Sequence, residues 1–221
     1  MKIKNFISPN YTEEKLEPPF YKDTVDVFED RIRYWVLAPA KKLLTCRNDH
    51  IAAMQIMINY IEGIQIYLSG KDSNRQSYQF FEAAFFKIFK INAEDKARSH
   101  AAKAIYSQIR CGFSHDGMSR HNVLYDVNLK HVFLLTWERK GDVFLYDKGV
   151  KSILVNPRKF YQGIEGHFEG YIERLKRMKK NDKLVDNFKD AVQLKWNLGN
   201  ITPIGVTEQE YYKNYSQHHA V

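Results

Sequence analysis

Between Asn48 and Ser69 the chain is apolar on almost every side. Ile51, Met54, Met57, Ile58, Ile61, Ile64 and Leu68 recur at helical spacing, but together they cover most of the helix circumference. Such a helix has no wide face to give to water and belongs at the centre of a bundle, with other helices around it. Asn48 or Asp49 is suited to cap its start. Its one polar stripe is Gln55, Asn59 and Glu62, at i, i+4 and i+7. The stripe reads either as a solvated edge or as a polar rib facing a cleft.

Partners for this central helix lie on both sides. Before it, Thr24 is placed to cap a helix whose buried face is Val25, Phe28, Ile32 and Trp35, with Pro39 kinking or dividing it before Cys46. After it, residues 74–89 place Phe81, Phe85 and Phe89 on one face, which marks core far more than a base-stacking platform. A fourth helix runs from about Lys96 to Cys111, with Ala101, Ala104, Ile105 and Ile109 inward. Short connections predict an antiparallel bundle.

The period then falls to two. Val123, Tyr125 and Val127 alternate, as do Val132, Leu134 and Thr136, and then Val143, Leu145 and Asp147. With a short run at Ser152 to Val155, these predict a small antiparallel sheet over about residues 122–156. Asn156-Pro157 has the form of a capped helix start. The helix it opens carries Phe160, Ile164, Phe168, Tyr171 and Leu175 on one face and ends in Arg174, Lys176, Arg177, Lys179 and Lys180. Cations there are favoured by the helix dipole, with nucleic-acid contact as the other reading. Residues 183–196 form one more amphipathic helix, closed by Gly199, and Thr207 to Glu210 has capping-box spacing. The expected organisation is an N-terminal arm over 1–22, a mainly α bundle with the β insertion over 23–181, and a C-terminal helical extension over 182–221.

Composition bounds function loosely. With 14 Tyr, 14 Phe and 3 Trp in 221 residues the chain can bury a large core. A net charge of +8 permits a polyanionic partner such as RNA without requiring one. Two cysteines, Cys46 and Cys111, make no disulfide framework. No signal-peptide core or membrane-spanning run is present, so a cytoplasmic protein without membrane contact is expected. Glycine-rich phosphate loops, HExxH, GxSxG and Cys/His zinc spacings are all missing. His115 and His121 are a close pair with no carboxylates assigned beside them, so neither a metal nor a cofactor is expected.

One segment carries a chemical pairing. In AKAIYSQIRCGFSHDG, residues 102–117, Arg110 and His115 are separated by four residues. On an unbroken α-helix they would lie about 140° apart. Gly112 stands between them as a weak helix residue, and a break there would turn both side chains to one cleft. Ser114 and Asp116 flank the histidine and are suited to orient its ring. A histidine can exchange the proton of a ribose 2′-hydroxyl, and an arginine can stabilise charge growing on a phosphate. Together they suit RNA cleavage to a 2′,3′-cyclic phosphate. The structural alternative is that Arg110 pairs with Glu62 or another buried acid while His115 satisfies turn carbonyls.

Through this R-x4-H and the apolar helices of residues 48–117, the chain resembles the HEPN superfamily of helical bundles. The β run and NPRKFYQGIEGHFEGYIERL are similar to a C-terminal extension in some bacterial members. Cys111 stands where active members commonly carry Asn, Asp or His after the arginine. The resemblance implies a HEPN-like antiparallel bundle and a homodimer in which two motifs line one cleft. It also implies a metal-independent endoribonuclease of toxin–antitoxin or phage-defence type, with Arg110 and His115 catalytic. Ser114, Asp116, Glu62 and Asn59 would support them, and an antitoxin or other regulatory protein is an implied partner. Other members are non-catalytic modules that bind a partner protein, a nucleotide or RNA.

Overall fold

A computed structural model describes residues 6–46, 48–177, 182–196 and 209. The architecture is mainly helical with small β-sheets. Seven helices in the described residues are α1 (Tyr21–Arg31), α2 (Ala38–Leu43), α3 (His50–Ser69), α4 (Ser77–Ile88), α5 (Asp95–Ile105), α6 (Pro157–Arg177) and α7 (Lys183–Trp196).

α3 is the axis of the bundle, as its all-round apolarity predicts. Ala53, Met54, Met57, Ile58 and Ile61 are fully buried, and α2, α4, α6 and α7 pack around it. Gly70, at φ +67°, ends it in the left-handed conformation that glycine adopts without a Cβ penalty. The expected cap at Asp49 makes no side-chain bond to the helix. On α6 all five residues of the expected face are buried.

The first helix departs from its expected pattern. It begins at Tyr21, three residues before Thr24, whose hydroxyl instead donates to the Tyr21 carbonyl within the helix. Ahead of Pro39 the chain widens into π-helical turns over Ile32–Leu37 and then continues as α2, so the proline is absorbed by widening. The extra residue per turn shifts the buried face. Val25 and Phe28 stay inside, while Trp35 is 52% exposed.

The arm is fixed to α1. Strands β1 (Phe6–Ser8) and β2 (Tyr11–Thr12) form a hairpin. The backbone N–H and side-chain amide of Asn10 donate to Asp30 at 2.8 and 2.7 Å, and Arg31 Nε donates to the Ile7 carbonyl at 2.7 Å. Lys15 pairs with Asp23 at 2.6 Å.

The sheet is mixed, where an antiparallel one was expected. β7 (Val150–Val155) lies between β3 (Val123–Tyr125), to which it is parallel, and β4 (Phe133–Trp137), to which it is antiparallel. β5 (Arg139–Lys140) and β6 (Val143–Phe144) make a separate hairpin. The inward row on β4 is Phe133 and Leu135, while Leu134 and Thr136 are exposed. Phe133 packs against Phe89 at 5.3 Å and Phe160 at 5.7 Å between ring centres, which seats the sheet on α6 and the end of α4. Asn156 locks this junction as expected. Its Oδ1 accepts from the backbone N–H groups of Arg158 and Lys159, and its amide donates to the carbonyls of Val127 and Leu129.

The C-terminal reading is met by α7 over Lys183–Trp196. Gly199 and Thr207, and the rest of the 182–221 extension beyond Trp196 except Gln209, lie outside the described residues. Among the described residues no helix is long and apolar enough to cross a membrane.

Candidate active site

Arg110 and His115 sit on the chain that continues from α5. The expected break at Gly112 does not occur. The helix widens into π turns over Tyr106–Arg110 and again over Gly112–Asp116, and ends at Gly117, at φ +73°. In such turns the backbone bond joins residue i to i+5, so that residue i+5 comes round beneath residue i. Widening therefore closes the angle that separates the two positions on an α-helix. Gly112 serves a different purpose. After Gly117 the chain folds back along the helix, and a Cβ on Gly112 would lie 2.7 Å from the Met118 carbonyl oxygen. The returning chain bonds to the helix it covers, with the Arg120 N–H donating to the Gln108 carbonyl at 3.0 Å.

Arg110 is held from two sides. Its Nη2 lies 2.6 Å from Glu62 Oε2 on α3, and its guanidinium sits 5.5 Å above the ring of Tyr106. The side chains of Arg110 and Glu62 are 19% and 12% exposed, so the pair is mostly but not wholly withdrawn from water. The contact is an ion pair out of hydrogen-bond alignment, since Arg110 Nε and Glu62 Oε2 are buried with no hydrogen-bond partner. Tyr106 is braced edge-on by Tyr78 at 5.4 Å and Phe81 at 5.2 Å. Burial raises the Tyr106 hydroxyl pKa; the nearby Arg110 charge opposes that rise, while Cys111 and Glu62 add to it.

His115 is exposed and has no hydrogen-bond or ion-pair partner among the described residues. Ser114 and Asp116 are exposed beside it. Asp116 does not orient the imidazole as expected; its carboxylate lies 3.8 Å from Arg120 Nε, on the chain that returns after Gly117. Asn59 is also exposed, and its amide donates to the Gln55 carbonyl of its own helix at 3.3 Å. Of the expected residues, Glu62 meets Arg110, and Tyr106 joins them; Asn59 and Asp116 bond to Gln55 and Arg120.

The other charged candidates resolve into ordinary pairs. Along the basic end of α6, Arg174 faces Asp182 at 3.5 Å, Lys176 meets Glu29 at 2.5 Å, and Arg177 pairs with Glu173. Lys179 and Lys180 lie outside the described residues. His121 is exposed, and among the described residues no three His, Cys, Asp or Glu side chains gather as a metal site requires.

Sequence reasoning missed a second polar group, on the opposite side of α3. Tyr60 is buried, and its hydroxyl meets His167 Nδ1 on α6 at 3.0 Å. Burial, and then the charge of Lys87, push the His167 imidazole down to about 4. The ring is therefore neutral near pH 7, and the Tyr60 hydroxyl and Nδ1 share one hydrogen bond whose direction follows the imidazole tautomer. Lys87 in turn donates to Gln65 Oε1 at 3.0 Å, which accounts for a buried glutamine on a helix of isoleucines and methionines. Gln65 was the available signal, because a polar residue on an otherwise apolar face demands a partner.

Compared with family models, curated proteins and solved structures, the chain matches none of them.

Proposed function

We propose that the chain is a metal-independent endoribonuclease of HEPN type, acting in the cytoplasm as a homodimer whose two R-x4-H segments border one cleft. The observation that carries this reading is the contrast between the two groups. Arg110 is fixed by Glu62 and Tyr106 yet keeps an edge in solvent, while His115 stands exposed and unpartnered on the same widened helix. A positioned cation and an unengaged imidazole are what 2′-hydroxyl chemistry asks for. His115 takes the 2′-hydroxyl proton and the oxygen attacks the adjacent phosphorus. The 5′-oxygen departs with the proton that the His115 imidazolium returns to it, and Arg110 stabilises the charge on the non-bridging oxygens. A toxin or phage-defence role, with an antitoxin restraining it, accords with such an activity.

The alternative is a non-catalytic HEPN-like module that binds a partner protein, a nucleotide or RNA. It is favoured by the Glu62 carboxylate, which already neutralises Arg110, and by Asp116, which faces Arg120 and leaves the histidine unoriented.

Mixed RNA incubated in EDTA with the wild type, Arg110→Ala and His115→Ala separates the two. Cleavage lost in both variants, with 2′,3′-cyclic phosphate ends on the wild-type products, supports the nuclease. Equal cleavage by all three, or none by any, leaves the binding module.

A further inference from the structure

A cleft of about 250 Å³ opens between α1 with its widened continuation, α3 and the end of α7. Ile32, Ile56, Gly63, Tyr67 and Trp196 line it, with Arg31 and Asn59 beside them, and neither Glu62, Arg110 nor His115 does. The wall is closed at one corner by the Trp196 indole N–H, which donates to the Tyr67 hydroxyl at 2.9 Å. At Gly63 no heavy atom lies within 4 Å of where a Cβ would be, so the glycine leaves the cleft open there.

The cation beside this apolar wall is the unusual element. Arg31 is half-buried, and burial lowers its pKa. Its guanidinium is stacked 4.5 Å from Trp196 and 5.8 Å from Trp35, and Nε is used by the Ile7 carbonyl. No acidic side chain among the described residues pairs with it, whereas the other arginine of the same stretch, Arg33, holds both Glu29 and Glu169. A guanidinium taken partly out of water beside an apolar surface ordinarily has a counter-charge, and the described residues supply none here.

We infer that this cleft binds a small apolar monocarboxylate, with its hydrocarbon body against Ile56, Gly63 and Tyr67 and its carboxylate on Arg31. A neutral apolar ligand would cover the guanidinium without neutralising it. A phosphate ester would bring two charges to a site with one cation, where further donors would be needed. A single carboxylate matches the planar fork of one arginine, and the apolar wall accounts for the remainder.

The test uses the full chain and octanoate as probe, read by tryptophan fluorescence and calorimetry, with octanol, octylammonium and adenosine monophosphate as comparisons. Octanoate is expected to bind at least tenfold more tightly than octanol, and octylammonium more weakly still. Gly63→Leu fills the cleft with a better helix former; it should fold, by circular dichroism and thermal melting, and lose at least tenfold in octanoate affinity. Arg31→Met should bind octanoate and octanol alike. Equal binding of octanoate and octanol by the wild type, undiminished octanoate binding by folded Gly63→Leu, or a preference for adenosine monophosphate would each overturn the inference. None of these readouts involves RNA cleavage, so the outcome is independent of the nuclease proposal.

Discussion

Glu62 on α3 and Arg110 on the widened end of α5 meet at 2.6 Å, with most of both side chains out of solvent. The pair joins the central helix to the segment that carries the candidate chemistry. Removing the carboxylate leaves a mostly buried guanidinium uncompensated. Glu62→Gln is expected to destabilise the fold by about 2 kcal/mol in urea unfolding. Glu62→Met combined with Arg110→Met should recover most of that loss, because it removes both charges together.

Gly112 is required by packing and not by a break. Gly112→Ala forces a methyl against the Met118 carbonyl, with Ser119 Cα and the Arg120 nitrogen 3.2 and 3.3 Å away, all of them backbone atoms. A loss of about 1–3 kcal/mol follows from such overpacking. Amide exchange at Arg120, whose N–H bonds back to Gln108, should quicken in this variant well before exchange in α3 changes.

Asn156 performs two tasks from one buried side chain. Asn156→Ala removes the cap of α6 and strips the Val127 and Leu129 carbonyls of their donor. Cap loss alone costs about 1 kcal/mol. Leaving the carbonyls unpaired brings the expected total to about 3 kcal/mol by urea titration. Asn156→Asp should retain the cap but not the carbonyl bonds, and fall between alanine and wild type.

His167 gives the fold a pH dependence with a defined sign. Its pKa is about 4 when folded, below the ordinary value near 6.5. The unfolded chain therefore takes up the proton first as pH falls. The stabilisation from the neutral ring is complete above about pH 6.5 and is lost as the pH drops from there toward 4. The urea midpoint of the wild type should decline over that window more steeply than that of His167→Gln, whose carboxamide does not titrate and can still hydrogen-bond Tyr60. Parallel declines would refute the assignment.

The helices were legible because their signals are local. The isoleucines and methionines of α3, the phenylalanines of α4 and the Asn156-Pro157 start of α6 are each dictated by residues within a turn or two. The sheet was less legible. Alternation over 132–136 fits either face, and Phe133 and Leu135 face inward because Phe89 and Phe160 wait there, which no local pattern reveals. That the last strand takes the middle place is likewise a long-range choice. The site was legible as a pair of residue types, and Glu62 as the partner of Arg110. The widening of the helix that carries Arg110 and His115 was not, because a widened helix has no sequence signature comparable to a glycine's, and Gly112 suggested a break. Trp35 was misjudged for the same reason: helical spacing projects it inward only if the turns before Pro39 keep their ordinary width.

The central position of β7 imposes an order on assembly. β3 and β4 are made first during synthesis, yet neither pairs with the other, and both wait for residues 150–155. Until those residues leave the ribosome, Val123, Phe133 and Leu135 have no ladder to hold them, and two strand edges stay open to other chains. A nascent or truncated product stopping short of Val150 would therefore be a chaperone client and an aggregation hazard, while six more residues would give both edges their partner at once.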